Sequence, residues 1–278
     1  MTLLVFTKQE IYKLFKRIIL IGDSDGIKNI LSAGIDQNLI IGIIGASIRS
    51  QYFDELKLIA KQLNRPLFIQ PKYSCKEYLK FSQSIQKIKP DLMICNSYSM
   101  LIQNDLLDLV KGNAINIHYS LLPKNRGCNP TQWAIIKGEK ETGVSLHYMG
   151  MDFDNGDIID QRSIPINEKD SWFDINQRLH KLSVELLKSN LDAIINLSNN
   201  RISQNESEAT YNYRLSPSSI KILFESMSDT DIYNIIRAQV APLKGAYIEH
   251  QGKKIRFLEM LSFEEIKRLR IKYVESTQ

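Results

Sequence analysis

Short runs of β-branched apolar residues alternate with amphipathic stretches through the first half of this sequence. The apolar runs are RIILIG from Arg17, NLIIGIIG from Asn38, LFI from Leu67, DLMICN from Asp91 and AINIH from Ala114. Between them, GIKNILSAG and residues 52–64 and 74–89 have the spacing of helices with one apolar face. Strands that are apolar on both faces are typical of parallel sheets built from βαβ units. The pattern predicts an α/β protein with a Rossmann-like, open and mostly parallel sheet over about the first two-thirds of the chain.

The middle of the sequence predicts further elements beyond these runs. In CNPTQWAIIKG, Asn129 suits the N-cap of a short helix, Pro130 its first position and Gly138 its end. TGVSLHYMG and GDIIDQRSIPI predict two strands joined by an acidic turn. SWFD at 171–174 has the spacing of a capping box, with Asp in place of the usual Glu or Gln, and predicts a helix to about residue 197.

A polar stretch, SNNRISQNESEAT, follows that helix and is the best candidate for a domain boundary. We expect a catalytic domain over residues 1–200 and a small C-terminal α+β or β-rich subdomain over 201–278. In the latter, DTDIYNIIRAQV predicts a helix, GAYIEHQGKKIRFLEM a hairpin turning at Gln251 and Gly252, and the remaining residues a charged last helix. At the other end, MTLLVFTKQEIYKLFKR predicts a short leading helix, with too short an apolar run for a signal peptide or membrane span.

Charge and cysteine content restrict the class of protein. Lys and Arg number 36 and Asp and Glu 31, so the net charge is 36 − 31 = +5. This mild excess suits a phosphate-bearing ligand and does not demand nucleic acid. The three cysteines are far apart and form no CxxC pair, which argues against a disulfide framework or a zinc site. A reducing cytoplasm is the expected setting.

The turn IGDSDGIKNIL follows a predicted strand and opens a predicted helix, as dinucleotide-binding turns do. It lacks the G-x-G-x-x-G set of glycines. We therefore interpret it as a tight βα turn rather than a nicotinamide-binding site.

Polar side chains stand where a predicted apolar strand ends. Asn116 and His118 close AINIH, and strand alternation points both side chains to one side. Further on, HYMGMDFDNGDII supplies His147 and the acidic residues Asp152, Asp154 and Asp157. An amide and an imidazolium can stabilise the oxyanion of an acyl transfer, while a carboxylate raises the basicity of the imidazole and moves protons. Such chemistry requires no metal.

Each of these residues also has a structural interpretation. A histidine at a strand end often only donates and accepts structural hydrogen bonds, and His147 suits a buried core position. Acidic turns with Asn-Gly are commonly no more than turns. Cys128 could act as a nucleophile, but the sequence shows no charged partner for it.

The stretch NIHYSLLPKNRGCNPTQWAIIKGEKETGVSLHYMGMDFDNGDIIDQ closely resembles the core of the 10-formyltetrahydrofolate-dependent formyltransferases. That family has an N-x-H strand end, an SLLP-x-x-R-G loop, then T-G-V-[ST]-x-H and D-x-G-x-I-x-x-Q, in this order and spacing. PDLMICNSYSMLIQNDLLD and IYNIIRAQVAPLKGAYIEHQGKKIRF resemble the family more loosely. One departure is Tyr119, where the family often has Pro or Gly after the histidine. It leaves the catalytic residues intact and could alter the acceptor pocket.

The resemblance implies roles for individual residues. Asn116 and His118 match the oxyanion-stabilising pair, and Asp154 matches the catalytic carboxylate. His147 matches a histidine that contacts the catalytic residues rather than the substrate. The co-substrate is implied to be 10-formyltetrahydrofolate, with no metal. Its pteridine is implied to lie against the loop SYSMLI and near Asp152, the loop residues being Ser97, Tyr98, Ser99, Met100, Leu101 and Ile102.

Among the family's acceptors, an amino group on a nucleotide-linked sugar is the expectation. Fewer residues follow IYNIIRA than in methionyl-tRNA formyltransferases, and more follow the long helix than in glycinamide ribonucleotide formyltransferases. Members with a shortened C-terminal part formylate dTDP-linked amino-dideoxysugars for surface polysaccharide such as O-antigen, and tend to be homodimers. Candidate acceptor-binding residues are Lys124, Arg126, Asn129, Trp133, Tyr213 and Arg214.

Three other functions remain open at this point. One is a methionyl-tRNA formyltransferase with a shortened C-terminal domain, although the charge suggests no tRNA-binding surface. Another is a formyltetrahydrofolate hydrolase, in which water replaces the amine. The third is a nucleotide-sugar-binding protein without turnover, which an intact set of Asn116, His118 and Asp154 argues against. The sugar isomer and the nucleotide, dTDP or UDP, are not fixed by these residues.

Overall fold

A computed structural model describes residues 16–277. The leading helix predicted from the first 17 residues falls almost wholly outside this range. The apolar runs of the first half form strands β1 to β5, which are Ile18–Gly22, Ile40–Ala46, Leu67–Gln70, Leu92–Asn96 and Ala114–His118. Later strands β6 to β11 are Arg126–Gly127, Glu141–Tyr148, Ile158–Pro165, Tyr211–Asn212, Ala246–His250 and Lys253–Phe257.

Eight α-helices lie between and after these strands within the described residues. Helices α1 to α4 are Ser24–Ser32, Phe53–Gln62, Glu77–Lys87 and Asn104–Leu109. Helices α5 to α8 are Pro130–Ile136, Trp172–Ile195, Asp229–Arg237 and Phe263–Thr277. The helices and strands predicted between residues 17 and 277 are therefore confirmed, including the hairpin turn, where Gln251 and Gly252 both have positive φ.

The central sheet has seven strands in the order β3-β2-β1-β4-β5-β7-β8. The pairs β1/β2, β2/β3, β1/β4 and β4/β5 are parallel, and β5/β7 is antiparallel. The predicted open, mostly parallel α/β sheet is thus confirmed. Strand order reverses between β1 and β4, and open α/β sheets bind ligands beyond the carboxyl ends of such strands.

The described chain groups into two compact units that interleave along the sequence. Among the described residues, the first comprises 16–118, Val144–Arg162 and Leu182–Gln204, and the second comprises Tyr119–Gly143, Ser163–Lys181 and 205–277. In the first unit, apolar residues of β1, β4, α3 and α4 form a buried cluster that includes Ile19, Phe81 and Leu106. In the second, α7, α8 and β10 supply a separate cluster that includes Ile232 and Ile266. The boundary expected near residue 200 stays a prediction.

The two predicted helix starts differ in outcome. At α6, Asp174 accepts the Ser171 N–H at 2.9 Å and Ser171 Oγ accepts the Asp174 N–H at 3.3 Å, so the capping box is confirmed. The Ser171 hydroxyl, which also donates to Asp174 Oδ2 at 2.6 Å, and the Ser171 N–H lower the pKa of Asp174. At α5, Asn129 occupies the N-cap position with Pro130 first, but its φ is 55° and its side chain makes no capping bond. The predicted N-cap position is confirmed, but the Asn129 side chain does not cap the helix, because its Oδ1 accepts the Leu215 N–H at 3.1 Å instead.

Asp23 links the end of β1 to α1, and the pKa of its carboxyl group is raised. Its carboxylate accepts the Gly26 N–H at 2.9 Å and so caps the helix. Burial raises the pKa of Asp23 from 3.8 to about 6, although the Gly26 bond and the charge of Arg49 oppose this. This carboxylate occupies the helix N-terminus, where dinucleotide-binding turns place a phosphate.

We expect Asp23 to make the stability of the protein fall with rising pH. A carboxyl whose pKa is higher in the folded state binds more protons folded than unfolded between pH about 4 and 6, so the unfolding free energy falls through that window, by at most about 3 kcal/mol. Asp23→Asn keeps a capping oxygen and removes the titration. Urea unfolding measures the free energy of unfolding of both proteins at pH 4.5 and pH 8. The value for Asp23→Asn minus the value for wild type should be larger at pH 8.

The matched control is Asp36→Asn. Asp36 caps a short 3₁₀ turn by accepting the Asn38 N–H at 2.9 Å, in an exposed position. The free energy of unfolding of Asp36→Asn should differ from that of wild type by the same amount at both pH values. An Asp23→Asn effect that is also independent of pH would contradict the expectation.

Candidate active site

The side chains of Asn116 and His147 meet across two neighbouring strands. Asn116 on β5 lies opposite His147 on β7 in the antiparallel register, and Asn116 Nδ2 is 3.1 Å from His147 Nε2. His147 Nδ1 lies 2.8 Å from the carbonyl oxygen of Tyr148. Because a carbonyl oxygen only accepts, Nδ1 must carry a proton, and Nε2 is the ring nitrogen that faces the Asn116 amide. His147 therefore fixes the orientation of the Asn116 amide.

Asp154 joins Asn116 and His118 in the same unit. Asn116 Nδ2 donates to Asp154 Oδ1 at 3.3 Å, and Asp154 Oδ2 lies 3.6 Å from His118 Nδ1. The side chains of His118 and Asp154 are 7% and 13% exposed. The structure thus brings together the three residues predicted to be catalytic, in a partly shielded place where charges interact more strongly than in water.

The loop SYSMLI, predicted to hold the pteridine, follows β4. It is held by hydrogen bonds from Gln70, at the end of β3, and from Arg49, which follows β2. Gln70 Nε2 donates to the Leu101 carbonyl oxygen at 3.0 Å, and Tyr98 donates its hydroxyl proton to Gln70 Oε1 at 2.8 Å. Arg49 Nε donates to Ser99 Oγ at 2.8 Å. Burial raises the pKa of Tyr98 well above its ordinary value, so the hydroxyl stays a donor.

The remaining loop residues and Asp152 lie as follows. Ser97 has φ of 54° and turns the chain away from β4, Ile102 is buried and Met100 receives a weak contact from Ser47 Oγ at 3.9 Å. Asp152 is exposed and accepts a long bond, 3.4 Å, from Asn155 Nδ2. Their predicted role in folate binding stays a prediction.

Several candidate acceptor-binding residues lie together in the second unit. Trp133 Nε1 donates to the Tyr213 carbonyl oxygen at 2.9 Å, and Asn129 contacts the neighbouring Leu215. The Tyr213 side chain is 85% exposed, and Lys124 and Arg214 are exposed too. The structure therefore groups Asn129, Trp133 and the residues around 213–215, and Tyr213 presents an aromatic surface to solvent.

Arg126, one of the candidate acceptor-binding residues, is bonded within its own chain. It is fully buried, and its guanidinium donates to both carboxylate oxygens of Glu206, at 2.7 and 2.9 Å, and to the Tyr211 hydroxyl at 2.6 Å. The bond to Glu206 raises the pKa of Arg126 and lowers that of Glu206. The guanidinium is thus bonded to a carboxylate of the same chain, and its acceptor-binding role stays a prediction.

Two glutamines that support the site were missed in the sequence. Gln70 closes the apolar run LFIQ, so the signal that singled out Asn116 and His118, a polar residue ending an apolar strand, could have found it. Gln204 lies in the polar stretch that was interpreted as a boundary, and no local pattern marks it. Its Nε2 donates to the carbonyl oxygens of Asp154, at 2.8 Å, and Gly156, at 2.7 Å.

The described residues carry neither a metal-binding cluster nor a membrane-spanning helix. Among residues 16–277, no group of three or more His, Cys, Asp or Glu side chains is placed to hold a metal ion. In the same part of the chain, no helix has the length and apolar character needed to cross a membrane. Burial raises the pKa of the Cys95 thiol well above its ordinary value, which disfavours the reactive thiolate there.

Two curated relatives match about two-thirds of the chain. Methionyl-tRNA formyltransferase of Lysinibacillus sphaericus is 39% identical over 185 residues, which are 66% of this chain and 57% of the relative. Bifunctional polymyxin resistance protein ArnA of Wigglesworthia glossinidia brevipalpis is 36% identical over 190 residues, 68% of this chain and 29% of the relative. The chain thus spans well under two-thirds of the length of either relative.

Three solved structures resemble most of the chain. A 4-N formyltransferase from Francisella tularensis is 27% identical with a TM-score of 0.70, over 89% of this chain and 98% of that one. A sugar N-formyltransferase from a Shewanella species is 21% identical with a TM-score of 0.71, over the same shares of 89% and 98%. An N-formyltransferase from Helicobacter canadensis, solved with folinic acid and dTDP-3-aminofucose, is 21% identical with a TM-score of 0.64, over 87% and 86%. At 21% identity, the Shewanella and Helicobacter canadensis structures show only that the fold is similar.

The family model for formyl transferases matches residues 16–191. This range is more than half of the chain and includes Asn116, His118, His147 and Asp154. The resemblance seen in the motifs is thereby confirmed. The chain belongs to the formyl transferase family.

Proposed function

We propose that this chain transfers a formyl group from 10-formyltetrahydrofolate to the amino group of a dTDP-linked amino-dideoxysugar. The acceptor would be dTDP-4-amino-4,6-dideoxyglucose or a 3-amino isomer, and the product would serve a surface polysaccharide such as O-antigen. We place the reaction in the cytoplasm. The observation that carries the proposal is the convergence of Asn116, His118 and Asp154 at the carboxyl end of β5.

Each of the three residues has a role in this proposal. His118 turns Nδ1 toward Asp154, so Nε2, on the opposite side of the ring, is the nitrogen that would donate to the formyl oxygen as it becomes an oxyanion. The Asn116 amide would give the second donor by exchanging its bond to Asp154, the longer of its two at 3.3 Å, for the oxyanion. Asp154 would hold His118 and accept the amine proton directly or through water.

The bonds balance without any further reactant. A bond forms between the acceptor nitrogen and the formyl carbon, the bond from that carbon to N10 of the folate breaks, and the proton lost by the amine ends on N10. The folate supplies an activated formyl group. The loop SYSMLI, Asp152 and the supporting Gln70 and Arg49 are the residues of this chain that would hold it, with backbone groups facing the pteridine.

A sugar acceptor is supported by the solved relatives. The Francisella tularensis protein, a 4-N formyltransferase, aligns over 98% of its length, and the Helicobacter canadensis protein was solved with dTDP-3-aminofucose. In this chain, exposed Tyr213 and partly exposed Trp133 could stack on a base, and exposed Lys124 could pair with a diphosphate. Methionyl-tRNA is the second candidate acceptor, because the Lysinibacillus sphaericus methionyl-tRNA formyltransferase is 39% identical to this chain, against 27% for the Francisella tularensis protein.

The test is a formyl-transfer assay read by mass spectrometry. The purified chain is mixed with 10-formyltetrahydrofolate and, in turn, dTDP- and UDP-linked 3-amino and 4-amino deoxysugars, initiator methionyl-tRNA, or water alone. A sugar that gains one formyl group supports the proposal and identifies the isomer. Formylated tRNA, or formate release without a sugar product, would assign the chain to one of the rival functions.

We also propose a homodimer that forms through the hairpin of β10 and β11. In the described part of the chain, β11 has β10 as its one strand partner, and the Ile255 side chain on β11 is 46% exposed. Sedimentation should show a dimer that Ile255→Lys shifts toward monomer. Leu79→Lys, at an exposed apolar residue of the first unit, is the control and should leave the dimer unchanged. A monomeric wild type, or a dimer insensitive to Ile255→Lys, would contradict the contact.

A further inference from the structure

The loop that carries Asp154 has a backbone conformation that requires support. Asp154 has φ of 53°, a left-handed region in which residues other than glycine are uncommon and strained. Two positions on, a Cβ built at Gly156 would lie 1.9 Å from the Tyr148 carbonyl oxygen, so the chain here packs against β7 without room for a side chain. The position of the Asp154 carboxylate therefore depends on contacts that hold this loop.

Gln204 makes the contacts that bridge the loop from outside. Its side-chain nitrogen donates to the carbonyl oxygens of Asp154 and Gly156, at 2.8 and 2.7 Å, on either side of Asn155. Both acceptors are backbone groups, so the two bonds fix the peptide units themselves rather than a mobile side chain. The carboxylate oxygens of Asp154 stay directed at Asn116 and His118.

The segment that carries Gln204 is itself anchored beside the loop. Ile202 and Ile158 exchange backbone hydrogen bonds of 2.8 and 2.9 Å, and Ser203 Oγ donates to Asp157 Oδ1 at 3.1 Å. These residues, Gln204 and Asp154 all belong to the first unit. The polar stretch after α6 thus adds a short edge pairing to β8 and delivers an amide donor to the loop.

We infer that Gln204 is a positioning residue for the catalytic carboxylate, acting on the reaction only through the backbone of Asp154. The inference rests on the proposed function for the identity of the reaction. The contacts on which it depends are independent of that identity. A glutamate at this position has the same shape but no N–H to donate, and would place a carboxylate against two carbonyl oxygens.

The first test follows the loop and not the reaction. Hydrogen exchange by mass spectrometry of peptides covering residues 150–158 is compared for wild type, Gln204→Ala, Gln204→Glu and Ser203→Ala. Both Gln204 variants should exchange faster there, because the loop loses its bridging bonds. Ser203→Ala removes only the bond to Asp157 on the same segment and is the matched control. Unchanged exchange in the Gln204 variants would overturn the inference, whatever the protein catalyses.

The second test uses formyl transfer. Gln204→Ala and Gln204→Glu should lower kcat by about 10- to 100-fold, the effect of misplacing a catalytic group by about 1 Å, while KM for the folate changes less than about threefold. Combined with Asp154→Asn, Gln204→Ala should add less than about twofold, because its route to the reaction is already removed. Additive losses, or a Gln204→Glu variant as active as wild type, would overturn the inference.

The two readouts separate two kinds of failure. If wild type transfers no formyl group to any acceptor, the proposed function fails, and hydrogen exchange alone decides whether Gln204 holds the loop. If wild type is active and exchange is unchanged, the proposed function stands and the role of Gln204 fails.

Discussion

Replacing His118 by alanine is expected to slow formyl transfer by a few hundredfold or more. The variant loses the ring that would donate to the oxyanion, and the loss of one such donor raises the barrier by about 3–4 kcal/mol. His118 is buried beside Asp154, so its replacement also leaves that carboxylate with Asn116 as its partner among the three predicted residues. The loss should therefore appear in kcat more than in KM for either substrate.

Asp154→Asn should lose activity to a comparable extent while keeping the shape of the site. An amide cannot accept the amine proton, and it holds the His118 ring less strongly than a carboxylate does. His250→Ala is the control, since this histidine lies on β10, in the second unit, and should change kcat by less than about twofold. Initial rates at saturating folate and acceptor make the comparison. A His118→Ala variant within tenfold of wild type would contradict the role given to this residue.

The fold was predictable from the sequence wherever a single element carried its own signal. Each central strand is an apolar run that is legible without its neighbours. By contrast, β6 and β9 are two residues long and exist through pairing between Arg126 and Tyr211 and between Gly127 and Asn212. No local pattern marks such pairs, because the partners are about 85 residues apart.

The candidate site was predictable in part for the same reason. Asn116 and His118 stand out as polar residues that end an apolar strand, and the motif resemblance added Asp154. Arg126 was predicted to bind the acceptor, and nothing near it in the sequence indicates Glu206, which lies 80 residues away and pairs with it. Gln204 looked like part of a linker, because its two bonds go to backbone carbonyls that any sequence would supply. The interactions that sequence reasoning missed are those whose partner is distant or is main chain.

Arg237→Met is expected to destabilise the second unit by about 1–3 kcal/mol, the cost of leaving a buried hydrogen-bond acceptor unsatisfied. Arg237 is 5% exposed, and its Nη1 donates to the carbonyl oxygens of Asn167, Asp170 and Glu168, at 2.9, 3.0 and 3.3 Å. Burial lowers the pKa of Arg237, because desolvation disfavours its charged form. A methionine fills a similar volume but leaves the Asp170 carbonyl oxygen without the Arg237 donor. The Asn167 oxygen keeps the Asp170 N–H at 3.1 Å, and the Glu168 oxygen keeps the Tyr233 hydroxyl at 3.0 Å.

Those carbonyls belong to the loop that leads into α6, so the loss should be local to the second unit. Arg237 Nε also donates to Asn234 Oδ1 at 2.9 Å, and its guanidinium carbon lies 5.6 Å from the Tyr233 ring centroid. Lysine at 237 would keep a charge and three donors, but it cannot reproduce the planar fork that reaches the loop and Asn234 together. Arg237→Lys should therefore recover part of the stability.

Tryptophan fluorescence during urea unfolding measures this effect selectively, because both tryptophans of the chain, Trp133 and Trp172, belong to the second unit. The matched control is Arg178→Met. Arg178 pairs with the Asp170 carboxylate of the same loop, but its side chain is 35% exposed, so its loss should cost about 0–1 kcal/mol. Equal midpoints for the Arg237 and Arg178 variants would show that buried backbone carbonyls find other donors when Arg237 is removed. A larger loss in Arg237→Met would identify this arginine as the residue that fastens the loop before α6 to α7.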